Sequence, residues 1–322
     1  MRRSEESAST TSPQQELSAT DIIIGYYLPP IFLSLGFTGN LLIIVVLSQH
    51  RYRASSSCLY LRFLAMWGIA YLTVDLQTHL MTVFPEKVAK VGNAFCAEVM
   101  FFGYSVINMK AYTVVLMTFS RFIAVIFPLK AAVICTLTSV KRFQAVNVLF
   151  FGIWALPHVI YQKKNTDVAF GSFACKFDVP RLVAWGYELA HVTLIAILPF
   201  AIIIGFNICI IVGIRRRRKE SSAMTGSGNF SDDTAVVTLV ALATITFLIC
   251  STPYLIHVTF WDFASASKVL SPEQNRQYGM SQMVAMLFYK IYQCANFIIY
   301  FVACRRFRED FKVVIFCKWA RR

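Results

Sequence analysis

Charge is scarce in this chain. Of 322 residues, 15% are charged and 57% hydrophobic, with a mean hydropathy of +0.58, a balance too apolar for a water-soluble domain of this length. Acidic side chains are scarcer than basic ones, 17 against 31. The spacings that carry chemistry are missing too: no zinc-binding pattern, no phosphate-cradling glycine loop, no Ser/His/Asp arrangement, and only five scattered histidines. These absences argue against an enzyme or a metal centre, and His158, His191 and His257, inside apolar runs, read as packed polar groups. Residues 1–20 have no apolar stretch after their basic start, so no cleavable signal peptide is expected and the first apolar run serves as its own insertion signal. The one Asn-x-Ser/Thr sequon, Asn229-Phe230-Ser231, falls in a loop assigned to the cytosol, where it cannot be glycosylated.

What the chain has is long apolar runs, at 22–48, 57–83, 95–127, 143–161, 183–214, 234–261 and 280–303. Each is near or above the roughly twenty residues a helix needs to cross a bilayer. The expected fold class is all-α: residues 1–21 form an outside N-terminal segment, 22–303 a seven-transmembrane helix bundle, and 304–322 a short amphipathic helix and cytoplasmic tail. Span three orients it. Cys96 and Arg121 are twenty-five residues apart, about 37 Å along a helix, so one lies at each membrane surface. Cys175, in the loop before span five, emerges on the side of Cys96, and disulfides persist outside the cell. Cys96 and Cys175 are therefore expected to pair outside, with Arg121 facing the cytosol, the N-terminus outside and the C-terminus inside. Lysines and arginines agree, with 17 in the segments assigned inside and eight in the outside loops, Arg2 and Arg3 lying further out. The basicity reports topology and contact with anionic membrane lipids, not nucleic-acid binding.

Polar groups inside the runs narrow the reading. Asn40 in span one should face the bundle, since an amide in hydrocarbon needs a partner. Asp75 lies about 14 Å below the outer end of span two, Lys290 about 15 Å below that of span seven, and Lys110 about 21 Å below Cys96. Asp75 and Lys290, at matching depth, are expected to form an ion pair; Lys110 is deeper. Pro157, Pro199 and Pro253 mark kinks in spans four, five and six. The run Arg215–Lys219 reads as a stop-transfer flank on anionic lipid, followed by a polar loop from Glu220 to Asp233. After span seven, Phe307, Phe311 and Val314 share one face of a helix lying on the inner membrane surface. Cys317 beyond it is a palmitoylation candidate. A transporter or channel is the competing class, because Lys110, Asp75 and Lys290 could line an ion path; no inverted internal repeat supports it.

In order along the chain, Gly39-Asn40, Leu64-Ala65, Ser120-Arg121-Phe122 with Pro128-Leu129, Trp154, Pro199, Phe247 with Cys250 and Pro253, Asn296 with Tyr300, and Phe307 resemble the signatures of rhodopsin-like G-protein-coupled receptors. The resemblance covers all seven spans. It implies a plasma-membrane receptor whose extracellular ligand binds between the outer halves of the helices, while span six swings outward at its inner end to admit a heterotrimeric G protein. By the same token Arg121, Asp233, Pro128, Asn296 and Tyr300 are switch residues, with Asp233 pairing Arg121 in the closed state. Pro199, Pro253 and Phe247 are hinge residues, and Gly103, Asp75, Lys290 and Glu188 are ligand-pocket candidates.

Departures from the family pattern are informative. Gly68 stands where the family usually has a sodium-binding aspartate, and Lys110 stands near the same pocket, so Asn40, Gly68 and Lys110 form a buried polar pocket in which a fixed ammonium replaces the mobile ion. Ser120 replaces the acid beside Arg121, Ser251 the tryptophan before Pro253, Phe297 the proline after Asn296, and Asn207 a span-five tyrosine. Gly103 occupies the site where amine receptors carry an aspartate, which disfavours a monoamine. The stretch Phe127-Pro128-Leu129-Lys130-Ala131 with Ile134-Cys135-Thr136 resembles the second cytoplasmic loop of invertebrate FMRFamide-type peptide receptors, pointing to a neuropeptide. No metal and no cofactor are expected. The alternative is retinal on Lys290, which falls where opsins form their Schiff base, with Asp75 as counterion.

Overall fold

In lipid a backbone must satisfy its own hydrogen bonds, and for runs of this length the helix does so within each segment. The computed structural model describes residues 19–84, 93–164, 175–224, 231–262 and 271–316, and seven of its helices are long and apolar enough to cross a membrane. Span one is Leu28–Leu47, entered through a π-helical turn at Ile23–Tyr27. Span two is Ser56–Val83 and span three Asn93–Ile126. Span four is Leu137–Trp154 with a further piece at Leu156–Tyr161. Span five joins Arg181–Val192 to Leu198–Met224 through a π-helical turn at Thr193–Ile197. Span six is Ser231–His257, ending in a π-helical turn at Val258–Asp262, and span seven is Pro272–Ala303.

Span three is the hub, packing against spans two, four, five and six. Leu64, Leu72, Val114, Met117 and Ile203 close the core around it. Outward-facing Leu41, Leu149, Ile208, Ile249 and Ile298 stay exposed on the bundle exterior, an arrangement stable only against lipid chains.

Several boundaries differ from the hydropathy reading because caps, not apolarity, end helices. Span four begins at Leu137, six residues before its apolar run, where the Thr136 side chain accepts the Ser139 amide at 3.1 Å. Span seven begins at Pro272 because Ser271 and Gln274 form a capping box. The run Arg215–Lys219 belongs to the span-five helix, which continues to Met224, so the loop expected from Glu220 onward is helical for its first five residues. Span four breaks at Ala155, with Pro157 in the first turn of the next piece, where a proline needs no amide partner.

Two structures hold the ends of the bundle. At the end expected to face outside, β1 (Gln162–Lys164) pairs antiparallel with β2 (Cys175–Phe177), and Lys164 is opposite Cys175. Cys175 is bonded to Cys96 at the head of span three, with Cα atoms 5.5 Å apart, inside the range a disulfide bridges. Lys163 and Asp178 add an ion pair at 2.6 Å. At the opposite end, Arg305–Ile315 forms the amphipathic helix, with Phe307 buried. Not every charge on this helix faces water. Asp310 is 5% exposed, because the Tyr52 hydroxyl of the first inner loop donates to it at 2.6 Å and Arg51 lies 3.5 Å away. Burial and the Asp310 carboxylate both push the Tyr52 pKa up, so this phenol remains a donor. Cys317 lies outside the described residues.

The disulfide closes a loop 79 residues long in sequence. Replacing Cys96 by Ser is expected to lower stability by about 2–4 kcal/mol, read as a drop in melting temperature of purified protein. The Cys96→Ser/Cys175→Ser double variant should lose no more than either single variant; additive losses would show that the two sulfurs act separately.

Candidate functional site

Span seven presents Lys290, Gln293 and Asn296 at three-residue spacing, which puts them on one helix face turned into the bundle. All three are at most 8% exposed. Lys290 and Gln293 each meet another helix, while neither side-chain polar atom of Asn296 has a hydrogen-bond partner among the described residues.

At the outer level, Lys290 Nζ lies 3.1 Å from Asp75 Oδ1 of span two, with side-chain exposures of 11% and 7%. Asp75 Oδ2 has no hydrogen-bond partner among the described residues. Tyr71 and Tyr289 flank the pair, their ring centroids 4.7 Å apart. Gly103 of span three is half-buried, and a Cβ built there would meet only Val74 Cγ1 of span two, at an ordinary contact distance of 3.6 Å.

In the middle, Lys110 of span three is fully buried. Its ammonium donates to Gln293 Oε1 and sits 4.2 Å from the centroid of the Tyr292 ring, a cation–π contact. Asn40 Nδ2 donates to Gly36 O at 2.8 Å and to Gln293 O at 3.3 Å. Gly68 has no side chain because Asn40 occupies that space: a Cβ there would lie 2.8 Å from Asn40 Oδ1. Gln293 thus joins spans one, three and seven. It was not singled out in the sequence, yet it lies one turn below Lys290, about 4.5 Å deeper, which is the level at which Lys110 needs an acceptor.

At the inner level, Arg121 donates to Ser57 Oγ at the start of span two. Asp233 lies on the span-six helix, and its side chain is outside the described ones. Ser120, without an acid's role, offers its carbonyl to Cys135 Sγ at 3.4 Å. Pro128 opens the short helix Pro128–Ile134. Asn296 and Tyr300 are each 1% exposed. Phe297, in place of a proline, leaves span seven unbroken and stacks on Phe301, with Phe307 and Phe311 edge-on. Asn207 turns onto its own helix, donating to Ile203 O at 2.8 Å.

The hinge candidates sit at helix defects. Pro199 follows the π-helical turn of span five, which absorbs the amide it lacks. Pro253 lies inside span six one turn before its π-helical end. Phe247, 2% exposed, contacts Phe200 of span five and Tyr292 of span seven. Nearer the outside, Glu188 Oε2 is 4.0 Å from His191 Nδ1. Among the described residues, no group of three His, Cys, Asp or Glu could hold a metal ion.

Loss of the Gln293 acceptor leaves an ammonium buried without its hydrogen bond. Gln293→Leu is expected to cost about 1.5–3 kcal/mol, and adding Lys110→Met should recover most of it. Melting curves of the two variants provide the check; a double variant less stable than Gln293→Leu alone would remove the bond from the account.

Comparison with known proteins agrees with this geometry. Mouse neuromedin-U receptor 2 is 23% identical over 298 residues, covering 88% of this chain and 73% of its own. Macaque C-C chemokine receptor type 1 is 24% identical over 299 residues, covering 89% and 79%. Pig somatostatin receptor type 2 is 24% identical over 326 residues, covering 96% and 81%. The family described as "7 transmembrane receptor (rhodopsin family)" matches residues 39–300. With seven spans, an outer disulfide and a family match over most of its length, the chain is a multi-pass membrane protein of the rhodopsin-like G-protein-coupled receptor family, a receptor and not an enzyme.

Proposed function

We propose that the chain is a plasma-membrane neuropeptide receptor, with its N-terminus outside and its C-terminus in the cytosol, that activates a heterotrimeric G protein and works without a cofactor. The observation that carries this reading is the Asp75–Lys290 pair, 3.1 Å apart in the outer half of the bundle, with one carboxylate oxygen unpartnered. Opposite charges held there give a peptide both an acceptor and a cation to recognise. Two relatives are named as receptors for neuromedin U and somatostatin, and Gly103 offers no carboxylate to a monoamine.

Activation is a shift of population between two packings. Span six turns about Pro253 and its π-helical end, and the cytosolic cavity opens beside Arg121. In the closed packing Asp233 holds Arg121 together with Ser57. One observation favours a second reading, retinal on Lys290, since Asp75 stands against that ammonium as a counterion would. Ser251, where an aromatic neighbour of the chromophore is usual, weighs against it. A peptide library screened on cells reporting calcium and cyclic AMP, set beside retinal addition with borohydride trapping, separates the two.

Breaking a buried pair leaves an uncompensated charge, so Asp75→Asn and Lys290→Met should each lose about 3–5 kcal/mol. Exchanging the charges, Asp75→Lys with Lys290→Asp, should restore much of the surface expression while lowering peptide potency at least about tenfold, or 1.4 kcal/mol. Unchanged potency in the exchanged receptor would make the pair purely structural.

At the inner end, Asp233→Ala should raise basal nucleotide exchange several-fold. Equal or lower basal output at matched surface expression would count against the Arg121 lock.

A further inference from the structure

The outer ends of spans three, four and five and the β1–β2 hairpin gather groups to which the switch assigns no task. His158 of span four is satisfied on both nitrogens, with Gln162 Oε1 and the Tyr187 hydroxyl each at 3.2 Å. His191 of span five is not. It is 1% exposed, and neither ring nitrogen has a hydrogen-bond partner among the described residues. One turn earlier, Glu188 Oε2 is unpartnered as well. Its 4.0 Å distance from His191 Nδ1 is beyond hydrogen-bond reach, and its side chain keeps 17% exposure. No lysine or arginine among the described residues pairs with it. Aromatic rings gather about His191. Tyr104 lies 4.6 Å from His191, Tyr187 stacks on Trp154 at 5.5 Å, and Phe177 of the hairpin is 5.3 Å from Tyr187.

A carboxylate withdrawn from water without a cation is costly, and the cost is removed when a cation arrives. The ring faces of Tyr104 and Tyr187 beside His191, one turn away, attract the same cation. We propose that Glu188 and His191, walled by Tyr104, Tyr187 and Phe177, form a subsite for a basic group of the peptide ligand, a guanidinium in the first instance. A guanidinium carries enough donors for the Glu188 carboxylate and one imidazole nitrogen together, and its plane stacks on tyrosine. A neutral or acidic group leaves both orphan partners unmet. This subsite rests on the peptide-receptor reading and adds to it the charge of the ligand at that point.

A proton is the rival occupant, because an imidazolium at His191 would pair with Glu188 unaided. The titratable groups facing His191 are Glu188 and Tyr187 on its own helix, Tyr104 on span three and His158 on span four. The test uses full-length receptor purified in detergent and probed with millimolar L-argininamide or its uncharged counterpart, L-citrullinamide. Argininamide is expected to raise the wild-type melting temperature by a few degrees, and citrullinamide to leave it unchanged. Glu188→Gln should abolish the shift. His191→Lys, which puts an ammonium beside Glu188 from within, should raise the unliganded melting temperature and abolish the shift too. A shift that survives Glu188→Gln, or no shift in wild type, overturns the proposal. Stabilisation by acidification alone, with nothing added by argininamide, does the same in favour of the proton. Nucleotide exchange with a peptide panel keeps the two readings apart. Peptide activation indifferent to Glu188→Gln removes the subsite and leaves the receptor reading, whereas an argininamide shift with no activating peptide does the reverse.

Discussion

An ammonium in hydrocarbon must find an acceptor inside the protein, and that requirement organises this bundle. Span seven supplies acceptors and donors down one face. Lys290 reaches Asp75 of span two, and Gln293 receives Lys110 of span three and, through its carbonyl, Asn40 of span one. Arg121 meets the same need at the inner surface through Ser57. Apolar packing alone cannot set the rotation of a helix whose every face suits lipid. These polar pairs can, because each has one rotation and one depth at which it closes.

The two ends of the molecule are held by bonds of different kinds. At the Cys96 end, a disulfide and a hairpin tie the head of span three to the segment before span five. Inside, Arg121–Ser57 and Tyr52–Asp310 are hydrogen bonds, exchangeable for others at a cost of about 1–3 kcal/mol each. The exchangeable bonds thus gather at the Arg121 end of the bundle. The π-helical turns in spans five and six lie close to Pro199 and Pro253, where those helices depart from regular α geometry.

Much of this was legible in the sequence because it depends on length and depth. Apolar runs gave the number of spans, the depths of Cys96 and Cys175 gave their pairing, and equal depth brought Asp75 to Lys290. Gln293 escaped because an amide carries no charge to draw attention, although the unmatched depth of Lys110 asked for it. Helix ends escaped because hydropathy marks where lipid begins, while Thr136 and Ser271 mark where the helix begins. Asp310 escaped because amphipathic patterning sends every acid to water, and only the fold shows that Tyr52 waits beneath it. Glu188 was legible as a pocket candidate, but the nearness of His191 and Tyr104 was not, because those residues come from different runs with no shared motif.

The middle of the bundle carries the largest departure from the family pattern. Where the resemblance places an aspartate that binds a mobile sodium ion, Gly68 leaves only enough room for the Asn40 amide. The Lys110 side chain stands nearby, donating to Gln293 Oε1 against the Tyr292 ring. A bound ion stabilises one packing by an amount that rises with its concentration; a side-chain amine is tied to the chain and has no concentration of its own. Any motion separating spans three and seven must break that bond or carry both residues together. Since Gln293 also holds Asn40, span one is drawn into the same movement, so the polar core acts as one unit.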